Sequence, residues 1–309
     1  TLEDAGHILD AERRSGSKLM MGFTRRYEAP WRRAYELLKD GAIGELHMLL
    51  IRDVIPFHTY FQRWHRRREW SGDGLNDKQA HHMDVFNWFA GAKADRVSGF
   101  GGRRVYIPRE NAPVRCLECE ADCPYRSAPS RGDRRLGPPK SQEEHSLTGD
   151  SWKNAENEYQ RVDTCVYHPG ADILDHAVIQ VGYDSGVVGS LFVSFFGPKA
   201  EDQETLELVG TSGRMRLTRH SGEIDLVNDF GKNHETIHCK GEGFDSSHFG
   251  ADAVLVSTLR GFYEGEAPVV SADDGYEATK MVVAALESID NGGRVMQLGG
   301  GCISPGSSL

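Results

Sequence analysis

Residues 173–196, with the sequence ILDHAVIQVGYDSGVVGSLFVSFF, decide the fold of this 309-residue chain. Two stretches rich in β-branched and aromatic residues alternate in polarity, and the turn signal Asp184-Ser-Gly separates them. This pattern predicts a β-hairpin with strands over 173–183 and 186–196. The same signals predict further strands downstream, over 204–210, 213–218, 223–227 and 235–239.

On both sides of this hairpin the chain continues as an α+β pattern. Helices are predicted over 2–15, 30–39, 78–90, 248–264 and 273–290, and strands over 18–23, 46–54 and 96–99. Hairpin-linked strands followed by helices are typical of a mainly antiparallel sheet with helices on one face. The other face must then be solvated or buried against a second subunit, so we expect a homo-oligomer through this open sheet face.

The composition argues against several classes of protein. The chain has 36 Lys and Arg against 46 Asp and Glu, a formal net charge of −10, which is unlike a nucleic-acid-binding protein. No run approaches the roughly 18–20 apolar residues of a membrane span, and the N-terminus lacks the basic start and apolar core of a signal peptide. Six cysteines are too few for a disulfide-built scaffold, and we expect a cytoplasmic protein.

The predicted helix over 78–90 carries the sharpest chemical signal. Asp77, His81 and Asp84 are spaced i, i+4, i+7, so on a helix they would share one face. A histidine exchanges protons near neutral pH, and a carboxylate one turn away can orient its ring. This set suits the removal of a proton from a hydroxyl as hydride leaves the carbon.

Other interpretations of the same region stay open. Asn76 or Asp77 could cap the helix while His81 is a core histidine. His81, His82 and Asp84 could bind a metal ion, although adjacent helical side chains point about 100° apart and cannot easily share one ion. The basic stretch at 63–68 is either a solvated loop or a wall of a sugar-type pocket, because Arg and Trp suit polyol or acid groups.

Four cysteines form a second candidate site. They fall in or at the end of 103–165, a stretch too long for an ordinary loop. Four thiolates suit the tetrahedral coordination of a closed structural zinc site, which would pin the insertion onto the strand domain. His168 is an alternative ligand, and free thiols or disulfides are the other outcomes. The four predicted ligands are Cys116, Cys119, Cys123 and Cys165.

Five stretches resemble, in order, motifs of the glucose–fructose oxidoreductase, inositol dehydrogenase and MocA-like (Gfo/Idh/MocA) family of NAD(P)-dependent oxidoreductases. The resemblance covers residues 1–298. The stretches are M-G-F-T-R-R-Y at 21–27, L-L-K-D-G-A-I-G at 37–44, the D-x-x-x-H-x-x-D pattern within 74–84, V-G-T-S-G at 209–213, and the closing helix and strand at 268–298.

The resemblance implies a dehydrogenase that passes hydride between a secondary hydroxyl of a sugar or polyol and NAD or NADP. It implies that His81 is the general acid/base and that Asp77 helps to bind the reacting hydroxyl. It also implies that Asp84 supports them and that Arg26 and Tyr27 lie near the cofactor or substrate.

The resemblance further implies a nucleotide-binding half, whose G-x-G-x-x-G turn, acidic ribose ligand and E-K-P segment are missing from this sequence. We therefore predict that 1–27 is the last helix and strand of a truncated Rossmann domain, and that 28–309 is an α+β substrate-binding and oligomerisation domain. No cofactor-binding residue is predicted. Without a glycine-rich pyrophosphate cradle, this chain alone should bind NAD(P) very weakly or not at all.

Three explanations of the missing half stay open. The chain could be a truncated form of a longer dehydrogenase, or it could pair with a separate chain that carries the nucleotide half. It could also be a non-catalytic, zinc-stapled binding or assembly module built on the same sheet.

Overall fold

The structure is a computed structural model, and it describes residues 1–55, 58–126, 164–198, 200–246, 248–299 and 301–302. Most of the insertion predicted at 103–165 lies outside these residues. The described strands, in chain order, are β1 (Leu46–Val54), β2 (Ala92–Lys93), β3 (Arg96–Gly102), β4 (His176–Gly182), β5 (Val188–Ser194), β6 (Glu204–Gly210), β7 (Arg214–Thr218), β8 (Glu223–Asn228), β9 (Asn233–His238), β10 (Met296–Gln297) and β11 (Gly301–Cys302).

Nine of these strands form one sheet in the order β10-β3-β4-β5-β1-β6-β7-β8-β9, and β11 pairs with β2. β1 runs parallel to β5, and the other described pairs are antiparallel. The hairpin predicted over 173–196 is the pair β4–β5. The mainly antiparallel sheet predicted from the sequence is therefore confirmed.

The helices are α1 (Leu2–Ser15), α2 (Ala29–Lys39), α3 (Arg68–Ser71), α4 (Ala80–Ala90), α5 (Ala251–Tyr263) and α6 (Ala272–Asp290). α6 lies against β3 and beside α4, α4 contacts β1, and α2 contacts β7 and β8. α1 packs on α6 and ends at Gly16, whose φ of 66° places it in the left-handed region that favours glycine. In the described part of the chain, no helix is both long and apolar enough to cross a bilayer.

The two faces of the sheet differ in burial, as the alternation along β1 shows. Leu49 and Ile51 are 2% and 0% exposed, whereas Met48 and Leu50 are 53% and 38% exposed. Successive strand residues point to opposite faces, so the helices cover one face and leave the other open. The apolar residues of this open face are Met48, Leu50, Phe100, Val188, Phe192 and Val209.

The strand predicted over 18–23 is wrong. Met20 forms only an isolated bridge with Ser271, and Met21 N donates to Val270 O at 2.9 Å. A strand needs a neighbour along its whole length to satisfy its backbone groups. The described residues supply only this short contact, so the segment stays extended without joining the sheet.

Candidate active site

The predicted catalytic helix begins with a π-helical turn, Leu75–Gln79, before α4 starts at Ala80. Neither Asn76 nor Asp77 is its N-cap, contrary to one of the sequence-based alternatives. Asp73 instead accepts a hydrogen bond from the backbone N–H of Leu75 at 3.1 Å. π-helical turns are rare and frequent at functional sites, because they shift the side chains that follow.

His81 lies in the first turn of α4 and is partly buried. Its ring contacts Phe23, with ring centroids 5.2 Å apart, and its Nδ1 is buried without a hydrogen-bond partner among the described residues. Its Nε2 also forms no hydrogen bond with a described residue and is not among the fully buried atoms, which leaves this nitrogen for a ligand. Burial, and then the positive charges of Arg25 and Lys78, hold the pKa of His81 well below its usual value, so it is a neutral imidazole at pH 7.

Asp77 lies one turn before His81, and its side chain is 29% exposed. It accepts a hydrogen bond from the Tyr60 hydroxyl at 3.0 Å, and His65 Nε2 lies 3.7 Å from the same oxygen. Burial and the negative charge of Asp77 raise the pKa of Tyr60, so this phenol stays a donor. The structure thus places Asp77 and His81 on neighbouring turns, without a hydrogen bond between them.

Asp84 does not orient His81, because its carboxylate belongs to a buried ion pair. Arg26 Nε and Nη2 donate to Asp84 at 2.9 and 2.6 Å, and Nη2 also reaches Asp274 at 3.1 Å. Burial raises the pKa of Asp84 to about 6, although Arg26 opposes this shift. These contacts connect the segment before α2 to α4 and α6. They indicate a structural role for Arg26 and Asp84.

Tyr27 is also buried, with 0% of its surface exposed and its hydroxyl 3.4 Å from Met21 O. Tyr27 and Arg26 are both buried by described residues, so neither side chain is exposed to a ligand. A place beside the cofactor or substrate, which the resemblance implies for both, remains a prediction.

Next to His81 lies an ion network of four buried side chains, Arg25, Glu28, Glu204 and Arg219, which are at most 5% exposed. Arg25 Nε donates to Glu204 at 2.8 Å, and Arg25 Nη2 lies 2.7 Å from the same carboxylate oxygen. Arg219 donates to Glu28 at 2.7 and 2.8 Å and to Glu204 at 2.9 Å. Although burial opposes ionisation, Arg219 and Arg25 hold the pKa of Glu204 well below its usual value.

A hydrogen-bonded chain joins Asp53, Gln79 and His82 to this network. Gln79 Nε2 donates to Asp53 at 2.9 Å, Gln79 Oε1 lies 2.5 Å from His82 Nδ1, and His82 Nε2 lies 3.0 Å from Glu204. Asp53, His82 and Glu204 offer ligand atoms within 4.8 Å of one another, a geometry that could hold a metal ion. Because hydrogen bonds already use these atoms and two guanidinium groups hold Glu204, we interpret them as a polar network.

The alternative metal set His81, His82 and Asp84 does not converge on one point. His82 faces Glu204, and Asp84 faces Arg26. The ring of His81 lies against Phe23 instead. This divergence agrees with the expectation that adjacent helical side chains point in different directions.

The cysteine cluster is described only in part, because 127–163 lies outside the described residues. A short 3₁₀ turn, Cys116–Glu118, is followed by a hydrogen bond from Cys119 N to Cys116 O at 3.3 Å. An antiparallel bridge joins Arg115 to Thr164, and Cys165 N donates to Val114 O at 3.0 Å, so the segments that carry Cys116 and Cys165 lie side by side. Cys239 stands apart, at the end of β9, and Cys302 lies in β11.

Cys119 and Cys123 lie within electrostatic range of Cys165. Burial, together with these two thiols, raises the pKa of the Cys165 thiol. His168, the alternative ligand, donates its backbone N–H to Cys165 O at 2.9 Å, and its Nδ1 accepts from Gly170 N at 3.1 Å. The three thiols therefore belong to one neighbourhood.

A sequence model of the oxidoreductase family C-terminal alpha/beta domain, GFO_IDH_MocA_C, matches residues 35–298. The chain belongs to the Gfo/Idh/MocA oxidoreductase family. The protein named "Putative oxidoreductase YteT" of Bacillus subtilis (strain 168) is 30% identical over 228 residues, which are 70% of this chain and 51% of that protein. The chain thus spans about half the length of this curated relative.

Solved structures share the fold. Levoglucosan dehydrogenase, in complex with NADH and levoglucosan, is 15% identical with a TM-score of 0.68, covering 96% of this chain and 70% of that chain. Aldose-aldose oxidoreductase from Caulobacter crescentus, complexed with glycerol, is 15% identical with a TM-score of 0.64, covering 96% of this chain and 69% of that one. At this identity the likeness shows the fold alone.

Sequence reasoning missed the ion network and Lys78. A signal was available for Glu204, because it shares the inward register of Leu206 and Leu208 in β6, where a charge needs a buried partner. Its partner Arg25 lies 179 residues away, and no local pattern could have named it.

Proposed function

We propose that this chain supplies the substrate-binding and proton-transfer half of an oxidoreductase that moves hydride between a secondary hydroxyl of a sugar or polyol and NAD(P). Family membership supports the reaction class. Relatives named as levoglucosan dehydrogenase and aldose-aldose oxidoreductase support the substrate class. The observation that carries the proposal is His81, a neutral imidazole with Nε2 open to a ligand and a carboxylate on the preceding turn.

In the oxidation direction, His81 accepts the hydroxyl proton at Nε2, and Asp77 helps to bind the substrate at that hydroxyl. A base is effective only when unprotonated, and the lowered pKa of His81 keeps it so at neutral pH. The substrate loses this proton and one hydride, and its carbinol carbon becomes a carbonyl. The phenol of Tyr60 and the ring of His65 hold the Asp77 carboxylate in place.

The residues of this sequence do not form a binding site for the hydride acceptor, NAD(P)⁺. No G-x-G-x-x-G stretch occurs in the sequence to bind a pyrophosphate, so we derive no step through the nucleotide. We propose that its binding residues lie on a segment or subunit outside this sequence. Titration calorimetry of the 309-residue chain with NAD⁺ should then show no low-micromolar binding, and such binding would contradict this part of the proposal.

The reaction is tested on the full-length protein with a panel of sugars and polyols, by following NAD(P)H formation. We expect oxidation of at least one compound, and a fall in kcat/KM of about 10²–10⁴-fold for His81→Asn, the usual contribution of a general base. The matched control is His238→Asn, an exposed histidine on β9, which should keep wild-type activity. Oxidation that survives in the His81 variant would overturn the assignment, and no oxidation at all would favour a non-catalytic module.

We also propose that Cys116, Cys119, Cys123 and Cys165 bind one structural zinc ion. The turn between the first two and the bridge beside Cys165 support it, because they place thiols from two distant segments in one neighbourhood. Four thiolates fill a tetrahedral site and leave no open position, so the ion would stabilise the fold and take no part in the reaction.

Metal analysis tests the zinc proposal. The purified protein should hold about one zinc per chain, and Cys119→Ser should lose it, because a structural site needs all four ligands. Cys239→Ser is the matched control, since this partly buried thiol lies outside the cluster. A metal content near zero in the wild type, or a Cys119 variant as stable as the wild type, would refute the proposal.

The open face supports a further proposal, that two copies of this chain pair through it. Phe100 on β3 and Phe192 on β5 are 67% and 45% exposed, and they lie on the same face of the sheet on either side of Val178 in β4. A contiguous apolar patch of this kind marks an interaction site in soluble proteins.

A further inference from the structure

Lys78 sits in the π-helical turn, three residues before His81. Residues three apart on a helix are neighbours, with Cβ atoms about 5–6 Å apart. Among the residues that the structure describes, Lys78 forms no hydrogen bond or ion pair, and its side chain is partly buried. An amine without a directly bonded carboxylate among the described residues therefore lies beside the general base.

The surrounding ion network does not supply that counterion. Arg25 and Arg219 match Glu28 and Glu204 in charge, and each carboxylate is bonded by a guanidinium group. These four side chains sum to zero. Lys78 lies within electrostatic range of both arginines and of the carboxylates of Asp53 and Glu204.

The Asp53 carboxylate is engaged by other side chains. Gln79 Nε2 donates to it at 2.9 Å, and His82 Nδ1 lies 3.7 Å from the same oxygen. Asp53 lies within electrostatic range of Lys78, but the two form no ion pair.

The remaining carboxylate, Asp77, is engaged elsewhere. It bonds Tyr60 and faces His65, and Arg63 lies within electrostatic range of the same His65 ring. Burial and the charge of Arg25 lower the pKa of Lys78, as expected for an ammonium group that lacks a partner. A negative charge brought by a ligand would supply what the protein does not.

We propose that this site takes a substrate with a carboxylate near the reacting hydroxyl, a sugar acid, and that the Lys78 ammonium binds this carboxylate. The inference rests on the proposed function, because His81 fixes where the reacting hydroxyl lies. A single ammonium group, which acts as a point charge, matches the one negative charge of a carboxylate. Lys78 is then a specificity-determining residue, and a neutral sugar leaves it unmatched.

Binding of matched pairs to the full-length protein tests this inference, with D-glucuronate against D-glucose and D-galacturonate against D-galactose. Within a pair the compounds differ in one group, a carboxylate against a hydroxymethyl. We expect the wild type to bind at least one acid 10-fold or more tighter than its neutral partner. Lys78→Met should lose this preference and keep its affinity for the neutral sugar, whereas Lys78→Arg should retain the preference.

Lys93→Met is the matched control, because Lys93 is paired with Glu277 and lies on β2. It should keep the wild-type preference. The inference is overturned if the wild type shows no preference for the acids, if Lys78→Met keeps the preference, or if none of the four compounds binds. Binding is measured by calorimetry, separately from oxidation. A binding preference for the acid without any oxidation contradicts only the proposed function. Oxidation of neutral sugars without a binding preference for the acid contradicts only the role of Lys78.

Discussion

His81 is held as a neutral imidazole by its surroundings, and this sets the pH at which it can act. Burial disfavours the charged ring, and Arg25 and Lys78 add repulsion. The residue pattern Asp77-x-x-x-His81 was enough to predict the pair, because helical spacing is a local property. The lowered pKa of His81 could not be predicted, because it depends on burial and on Arg25, which belongs to a segment more than 50 residues away.

The pH profile follows from the sign of this shift. The base is active when unprotonated, so kcat/KM for oxidation should stay constant down to pH 6.5 and fall only below it, as His81 becomes protonated. Lys78→Met removes a nearby positive charge and should raise the pKa of His81. Nitrogen NMR of the ring measures this pKa directly, and a wild-type value at or above 6.5 would contradict the account.

Arg26 offers a second test at the scale of single residues, because its contacts indicate a structural role. Arg26→Met leaves Asp84 buried without its partner and should cost about 3–5 kcal/mol of unfolding free energy. Arg13→Met is the matched control, since its pair with Asp273 is exposed and should contribute at most about 1 kcal/mol. Urea denaturation measures both, and equal stability of the two variants would indicate that Arg26 is kept for a ligand instead.

The sequence predicted a strand correctly where its local residue pattern agrees with the neighbouring strands that the fold provides. The predicted bounds of β1 and β6 coincide with those observed, because alternating polarity and flanking turn signals are both local. The strand at 18–23 failed because pairing depends on a neighbour that its own sequence does not specify. The π-helical turn was missed because Asn76 and Asp77 give the same signal as a helix cap. The position of β1 beside β5 also depends on contacts between distant segments.

α6 provides a test at the scale of elements, because it lies across the covered face of the sheet. Val282→Ala on α6 removes two methyl groups from a site with 0% exposure and should cost about 2 kcal/mol, including the cavity that it leaves. Val256→Ala on α5, where the side chain is 61% exposed, should change stability by at most about 0.5 kcal/mol. If thermal and urea unfolding show equal losses for the two variants, the assignment of the covered face is wrong.

The whole molecule combines a covered sheet face, which holds the candidate site, with an open apolar face. The alternation of the strands predicted that one face would be open, but it could not show which apolar residues would form the patch, because the strand order decides their neighbours. Pairing through this face would bury the patch and leave His81 accessible, since His81 lies on the helix-covered side.

A single charge in the patch tests the proposed pairing. We expect a dimeric wild type and a monomeric Phe192→Glu variant, because a buried carboxylate without a partner is strongly unfavourable. Tyr263→Glu, on α5 and 93% exposed, is the matched control and should leave the dimer intact. Sedimentation measures both, and a monomeric wild type, or a dimer that survives in the Phe192 variant, would contradict the proposal.

Deuterium tracing in the full-length protein tests the central claim most directly. A sugar or sugar acid deuterated on its carbons is incubated with NAD(P)⁺, and the reduced nucleotide is analysed by mass spectrometry. We expect the reduced nucleotide to carry deuterium, and His81→Asn to slow its appearance by about 10²–10⁴-fold without weakening substrate binding. A reduced nucleotide without deuterium, or an equal rate in the His81 variant, would contradict it.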